Sequence, residues 1–142
     1  MNSCPTKEEF MAARQQWWKA YIYWQTKFDE AEKKYTGYTN VKSSLADLSL
    51  KINNGFSDIS DAASKLNSGG YEDDNGTLGG NRIFDIKRGL ETCKEANDSL
   101  VKLCEEKITL YRNEMITAGK TRDDAKSNYV SIVNKYNECY GG

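Results

Sequence analysis

The chain has 142 residues, of which 38% are apolar and 29% charged, a composition that fits one folded domain and excludes a disordered chain. Its formal net charge is −1 and its acidic and basic residues are interspersed, so no cluster of Lys and Arg is available to bind nucleic acid. No stretch approaches the roughly 18 uninterrupted apolar residues of a membrane helix, and MNSCPTKEEF lacks the apolar segment of a cleavable signal peptide. We therefore expect a single domain, 1–142, in the cytoplasm and without membrane insertion.

The first half of the chain is predicted to form a long amphipathic helix over about residues 6–66. Thr6 and Glu9 have the spacing of an N-terminal capping box. Mostly apolar residues then recur every seven positions, a period typical of helices that pack side by side. The series consists of Phe10, Trp17, Trp24, Ala31, Tyr38, Leu45, Ile52, Ile59 and Leu66. Helix propensity falls in YTGYTN around Gly37, so a kink or a true turn there is the alternative.

A glycine-rich stretch separates this helix from the second half. NSGGYEDDNGTLGG, residues 67–80, predicts a loop where the chain reverses, with Gly69 as a helix C-cap and Asn81 as the next N-cap. A second helix is predicted over about residues 81–139, because a similar apolar spacing resumes there. Its series includes Ile83, Leu90, Asn97, Cys104, Tyr111, Ala118, Ala125, Ile132 and Cys139.

The two halves match in length, which favours an all-α fold: an elongated, antiparallel, coiled-coil-like hairpin. Folding the chain about the loop brings large residues level with small ones, as a two-helix seam requires. The predicted level pairs include Phe10 with Cys139, Trp24 with Ala125, Ala31 with Ala118, Leu45 with Cys104, and Ile52 with Asn97.

The stretch QQWWKAYIYWQ, residues 15–25, is apolar on nearly every side of its helix. Trp17, Tyr21 and Trp24 belong to the seam, whereas Trp18, Ile22 and Tyr23 point elsewhere, with Met11 one heptad before Trp18. A helix that is apolar all round is normally covered by protein, and aromatic stripes are typical of interaction hot spots. We therefore predict a partner-binding stripe. The alternative is an internal core, formed if the chain turns near Gly37 and builds a three- or four-helix bundle. The predicted stripe consists of Met11, Trp17, Trp18, Tyr21, Ile22 and Trp24.

The sequence offers no catalytic, cofactor or metal motif. It contains no histidine, and its four cysteines lack C-x-x-C spacing, so the usual zinc sets are excluded. Cys93 and Cys104 lie too far apart along one helix to form a disulfide, and reduced thiols are expected. TAGKT lacks the first glycine of a phosphate-binding loop, and EDDNGTLG lacks a ligand and a glycine of a calcium loop. We expect a protein that is not an enzyme and needs no cofactor.

Several segments resemble the small helical accessory proteins encoded beside LXG toxins of Gram-positive type VIIb (ESX-like) secretion systems. These are an aromatic N-terminal helix, VKSSLADLSLKINNGFSDISDAASKLNSGG, the GNRIFD turn, and SLVKLCEEKITLYRNEMITAGKTRDDAKSNYVSIVNKY. The resemblance implies a WXG-like hairpin that binds the helical N-terminal LXG region of a toxin, together with a second small helical protein, and delivers the toxin for export. No tryptophan here is followed two residues later by glycine, so the W-x-G turn is absent.

The resemblance also implies an export signal, an aromatic residue with an acid four positions later. Only Phe28 with Glu32 matches it. Two hypotheses remain: a targeting factor or chaperone, cytoplasmic or exported with its partner, and a self-associating coiled-coil protein whose aromatic stripe closes a homodimer.

Overall fold

The computed structural model describes residues 4–68 and 72–141, with side chains described at 4–66 and 82–141. Within these ranges residues 7–68 and 72–140 are helical, and no strand occurs in them. Helix α1 is Lys7–Ser68 and helix α2 is Glu72–Tyr140. The two helices pack against each other as a hairpin, which confirms the predicted all-α class.

Both outer helix ends are capped. The Glu9 backbone N–H donates to Thr6 Oγ1 over 3.1 Å, which confirms Thr6 as the N-cap of α1. At the end of α2, Gly141 has a φ of +64° and its N–H donates to the Asn137 carbonyl over 2.9 Å. This left-handed conformation suits a residue without a Cβ atom and ends the helix.

The helix bounds differ from the sequence-based ones near the predicted loop. Helix α1 includes Gly37, so a turn at that residue, and with it the multi-helix bundle, is wrong. Helix α2 begins at Glu72, earlier than the predicted start near 81, and Asn81 lies within it instead of capping it. Glycines weaken a helix by about 1 kcal/mol each, but a nucleated helix gains a backbone hydrogen bond with each added residue. The proposed cap Gly69 lies outside the described residues.

The chain divides into two units, each built from a stretch of both helices. The terminal unit is Met1–Thr36 with Ile108–Gly142, and the central unit is Gly37–Lys107. Apart from Gly119, which adjoins Ala118, the buried residues in both units come from the predicted heptad series, which confirms the seam. They are Phe10, Ala31, Ala118 and Ala125 in the terminal unit, and Leu45, Ile52, Ile59, Asn97 and Cys104 in the central unit.

In the central unit the helices are displaced from the predicted register. Asn97, predicted to lie level with Ile52, donates from Nδ2 to the carbonyl of Leu45 over 3.3 Å. A Cβ atom added to Gly55 would lie 3.0 Å from Leu90 Cδ2, so these two residues are level. The displacement amounts to about one helical turn. A seven-residue period fixes which face packs, but it does not fix the height at which two helices meet.

The two outer ends of the helices are joined covalently in the terminal unit. Cys4 and Cys139 form a disulfide with Cα atoms 5.9 Å apart, so the expectation of reduced thiols is wrong for this pair. Sequence reasoning compared only cysteines on the same helix, whereas antiparallel packing brings the start of α1 beside the end of α2. Cys93 and Cys104 are free, as predicted.

Candidate functional site

The aromatic segment of α1 presents two faces in the terminal unit. Trp17, Tyr21 and Trp24 are half-buried. Trp24 lines a groove with α2 that also contains Ala31 and Ala118, the small residues predicted to lie level with each other. The position of Trp24 agrees with its assignment to the seam, and Trp17 and Tyr21 share its intermediate burial.

The other predicted stripe residues form an exposed apolar flank. Met11, Trp18 and Ile22 are 69%, 49% and 46% exposed. Their separations of seven and four positions place them on one side of α1. Tyr23 is 54% exposed as well, but it follows Ile22 directly and therefore lies about 100° further round the helix, outside this row. The predicted stripe therefore splits into half-buried seam residues and an exposed set, and we call Met11, Trp18 and Ile22 the exposed flank.

Trp18 is held in place although half of its surface is exposed. Its ring stacks on Tyr21 with centroids 5.6 Å apart, and lies 5.4 Å from the ring of Tyr129 on α2. Such contacts fix the orientation of the indole, and a side chain that is already ordered loses less entropy when it is covered. Fixed, partly exposed tryptophans are frequent hot spots in protein interfaces.

A groove between α1 and α2 runs along the exposed flank. One stretch of it is lined by Met11, Arg14, Gln15, Trp18 and Tyr129, among others. The adjoining stretch shares Met11 and Arg14 with the first. Its further lining residues are Lys7, Phe10, Ile132, Val133, Tyr136 and Asn137. We call these two stretches together the flank groove.

The predicted export-signal pair has unequal surroundings. Phe28 is half-buried, with the Arg122 guanidinium 4.7 Å from its ring centroid, and its ring packs beside Gly119. Arg122 also donates to Gln25 Oε1 over 3.1 Å. Glu32 is exposed. Phe28 thus contributes to the contact between the helices, and the signal role of Phe28 and Glu32 stays a prediction.

A compact aromatic cluster lies beside the disulfide. The Phe10 ring packs edge-on against Tyr136 and Tyr140, with centroids 5.5 and 6.0 Å away. The Tyr140 hydroxyl donates to the Pro5 carbonyl over 2.6 Å. Tyr136 and Tyr140 lie on either side of Cys139 in the sequence. Phe10 therefore lies within about one helical turn of Cys139, the residue predicted to be level with it. We call Phe10, Tyr136, Tyr140 and the Cys4–Cys139 bond the end cluster.

Sequence reasoning missed the α2 side of the groove and its cations. Tyr129 lies on α2, and Arg14 is a charged residue four positions after Phe10 and three before Trp17 on α1. The signal of such a groove edge is a charged residue that interrupts the apolar series of one helix. In the structure this residue, Arg14, faces an aromatic residue of the other helix, Tyr129.

In the part of the chain that the structure describes, no group of three or more Cys, Asp or Glu side chains is placed to hold a metal ion. No described helix is long and apolar enough to cross a membrane.

Comparisons of the chain with models of protein families, with curated proteins and with solved structures give no match.

Proposed function

We propose that the chain is a non-enzymatic targeting factor or chaperone for a secreted toxin. It binds the helical N-terminal LXG region of that toxin, together with a second small helical protein, and promotes export by a type VIIb secretion system. The observation that carries this proposal is the exposed flank, Met11, Trp18 and Ile22, on a helix whose other side already packs against α2. Apolar side chains in such an arrangement gain free energy when a further helix covers them.

The Cys4–Cys139 disulfide supports the export part of the proposal. Protein disulfides persist in oxidising surroundings and are rare where thioredoxin and glutathione keep thiols reduced. A protein that leaves the cell with its cargo meets such surroundings. The chain starts in the cytoplasm as dithiol and acquires the bond outside.

Co-purification with the helical region of the toxin tests the proposal. Trp18→Ala with Ile22→Ala is expected to abolish co-purification and leave the helical circular dichroism signal unchanged, because both side chains are substantially exposed in the free protein. Leu48→Ala with Leu50→Ala is the matched control. It also truncates two exposed apolar residues of α1, 43% and 64% exposed, but in the central unit.

Two results would contradict the proposal. Loss of helicity in the Trp18 and Ile22 variant would assign these residues to the core. A homodimer of the isolated protein in light scattering, dissociated by the same two substitutions, would assign the exposed flank to self-association.

A further inference from the structure

The flank groove combines apolar walls with two cations and no carboxylate. Its floor and sides are formed by Met11, Trp18, Tyr129 and Val133, while Lys7 and Arg14 are its charged lining residues. The groove on the other side of the terminal unit differs, since its lining contains Lys27 and Lys34 together with Glu30 and Glu114. The two sides of this unit therefore differ in electrostatic character although the chain is nearly neutral.

Both cations of the flank groove are held over aromatic rings. The Lys7 ammonium lies 5.2 Å from the Tyr140 ring centroid, and the Arg14 guanidinium lies 6.0 Å from that of Tyr129. Neither forms an ion pair with any residue in the described ranges. Cation–π contacts at exposed sites contribute only about 0.5–1 kcal/mol and leave the cation able to accept a carboxylate partner.

We infer that the flank groove binds an acidic amphipathic helix, whose apolar stripe covers Met11 and Trp18 and whose carboxylates pair with Lys7 and Arg14. This inference rests on the proposed function and specifies the chemistry of the toxin segment that docks. Helix-in-groove recognition requires a row of apolar contacts with charges at its edge, and the groove lining supplies both. Cations beside the apolar row favour helices that carry carboxylates and disfavour helices that carry Lys or Arg.

A second copy of the chain fits the flank groove less well. In a two-fold symmetric dimer through this surface, the same patch would meet itself, and the Lys7 and Arg14 cations of both copies would surround one apolar contact. Like charges at an interface oppose association. The charge pattern therefore favours an acidic partner over self-association.

Two synthetic peptides of about 20 residues, long enough to form a helix on binding, test the inference. Both carry leucine at the same positions, and the polar positions are glutamate in one and lysine in the other. Titrated at low salt into the intact, oxidised protein, the glutamate peptide is expected to bind at least roughly tenfold more tightly, with quenching or shift of tryptophan fluorescence. The preference should shrink as salt is added. Equal affinities, tighter binding of the lysine peptide, or no binding of either would overturn the inference.

Charge reversal assigns the preference to named residues. Lys7→Glu with Arg14→Glu is expected to invert the peptide preference, and Lys7→Gln with Arg14→Gln to remove it. Lys19→Glu with Lys33→Glu is the matched control, because it makes the same charge change on exposed residues of α1 outside the flank groove. Unchanged preference in a folded Gln variant would overturn the inference.

The same variants separate this inference from the proposed function. Toxin co-purification that persists in the charge-reversed protein would overturn the acidic-helix inference and leave the proposed function standing. Selective binding of the glutamate peptide without binding of any LXG region would support the acidic-helix inference and overturn the proposed function.

Discussion

Asn97 places a polar side chain in the buried seam of the central unit. It is 5% exposed, its Nδ2 donates to the Leu45 carbonyl, and its Oδ1 has no hydrogen-bond partner within the described part of the chain. A buried acceptor without a partner costs about 1–3 kcal/mol. In two-stranded helical packing, a buried asparagine is the residue type that specifies register at a cost in stability.

Replacing Asn97 with leucine removes the unpaired oxygen and keeps the number and branching of the side-chain heavy atoms, although the two methyl groups are larger than the amide oxygen and nitrogen. Asn97→Leu is expected to increase the free energy of unfolding by about 1–2 kcal/mol. Urea unfolding followed by circular dichroism measures the change. Asn97→Asp is the opposing control, since it buries a charge and should lower the same free energy. A leucine variant less stable than the parent would mean that Oδ1 has a partner in solution.

At the scale of the elements, the glycines of α1 differ in what surrounds them. Gly37 is exposed, and an added Cβ atom would meet nothing within 4 Å, whereas at Gly55 it would lie 3.0 Å from the Leu90 side chain. Both residues lie inside the helix without a positive φ. Alanine is the better helix former by about 1 kcal/mol, because glycine loses more backbone freedom on folding.

This difference predicts unequal effects of alanine. Gly37→Ala is expected to increase the free energy of unfolding by about 0.5–1 kcal/mol. Gly55→Ala should gain less or lose stability, since Leu90 must move to accommodate the new methyl group. Thermal unfolding of both variants and of the parent protein measures these differences in stability. A larger gain at Gly55 than at Gly37 would contradict the prediction.

How much the sequence reveals depends on whether a feature is local to a helix. The seven-residue spacing from Phe10 to Leu66 predicts which face of α1 packs, and Thr6 predicts where the helix begins, because both are properties of one helix. The register of Gly55 with Leu90 depends on how two side-chain surfaces fit together, and single-sequence periodicity carries no information on that. Of the flank groove the sequence predicts only Met11 and Trp18, because Tyr129 joins them through packing between the helices.

For the molecule as a whole, the Cys4–Cys139 bond links positions 135 residues apart in sequence. A cross-link that closes so long a stretch of chain restricts the unfolded state strongly, and the chain-entropy model gives a stabilisation of about 4–5 kcal/mol. The end cluster surrounds the bond with the rings of Phe10, Tyr136 and Tyr140. Stability of the hairpin is therefore expected to depend on the redox conditions.

Reduction tests this dependence. The oxidised protein should unfold at a clearly higher temperature than the same protein in reductant, and Cys4→Ser with Cys139→Ser should match the reduced protein under both conditions. Cys93→Ser is the control, because that thiol is free and exposed. Thiol titration of the unfolded, oxidised protein should give the two free cysteines, Cys93 and Cys104. Four reactive thiols would show that the bond does not form.

The bond between Cys4 and Cys139 also changes the topology of the polymer, since it closes the backbone between them into a ring. A ring cannot be threaded through a pore as one extended strand. Any channel that admits the oxidised molecule has to accommodate two backbone segments at once. The dithiol form can enter by one chain terminus and pass as a single extended strand.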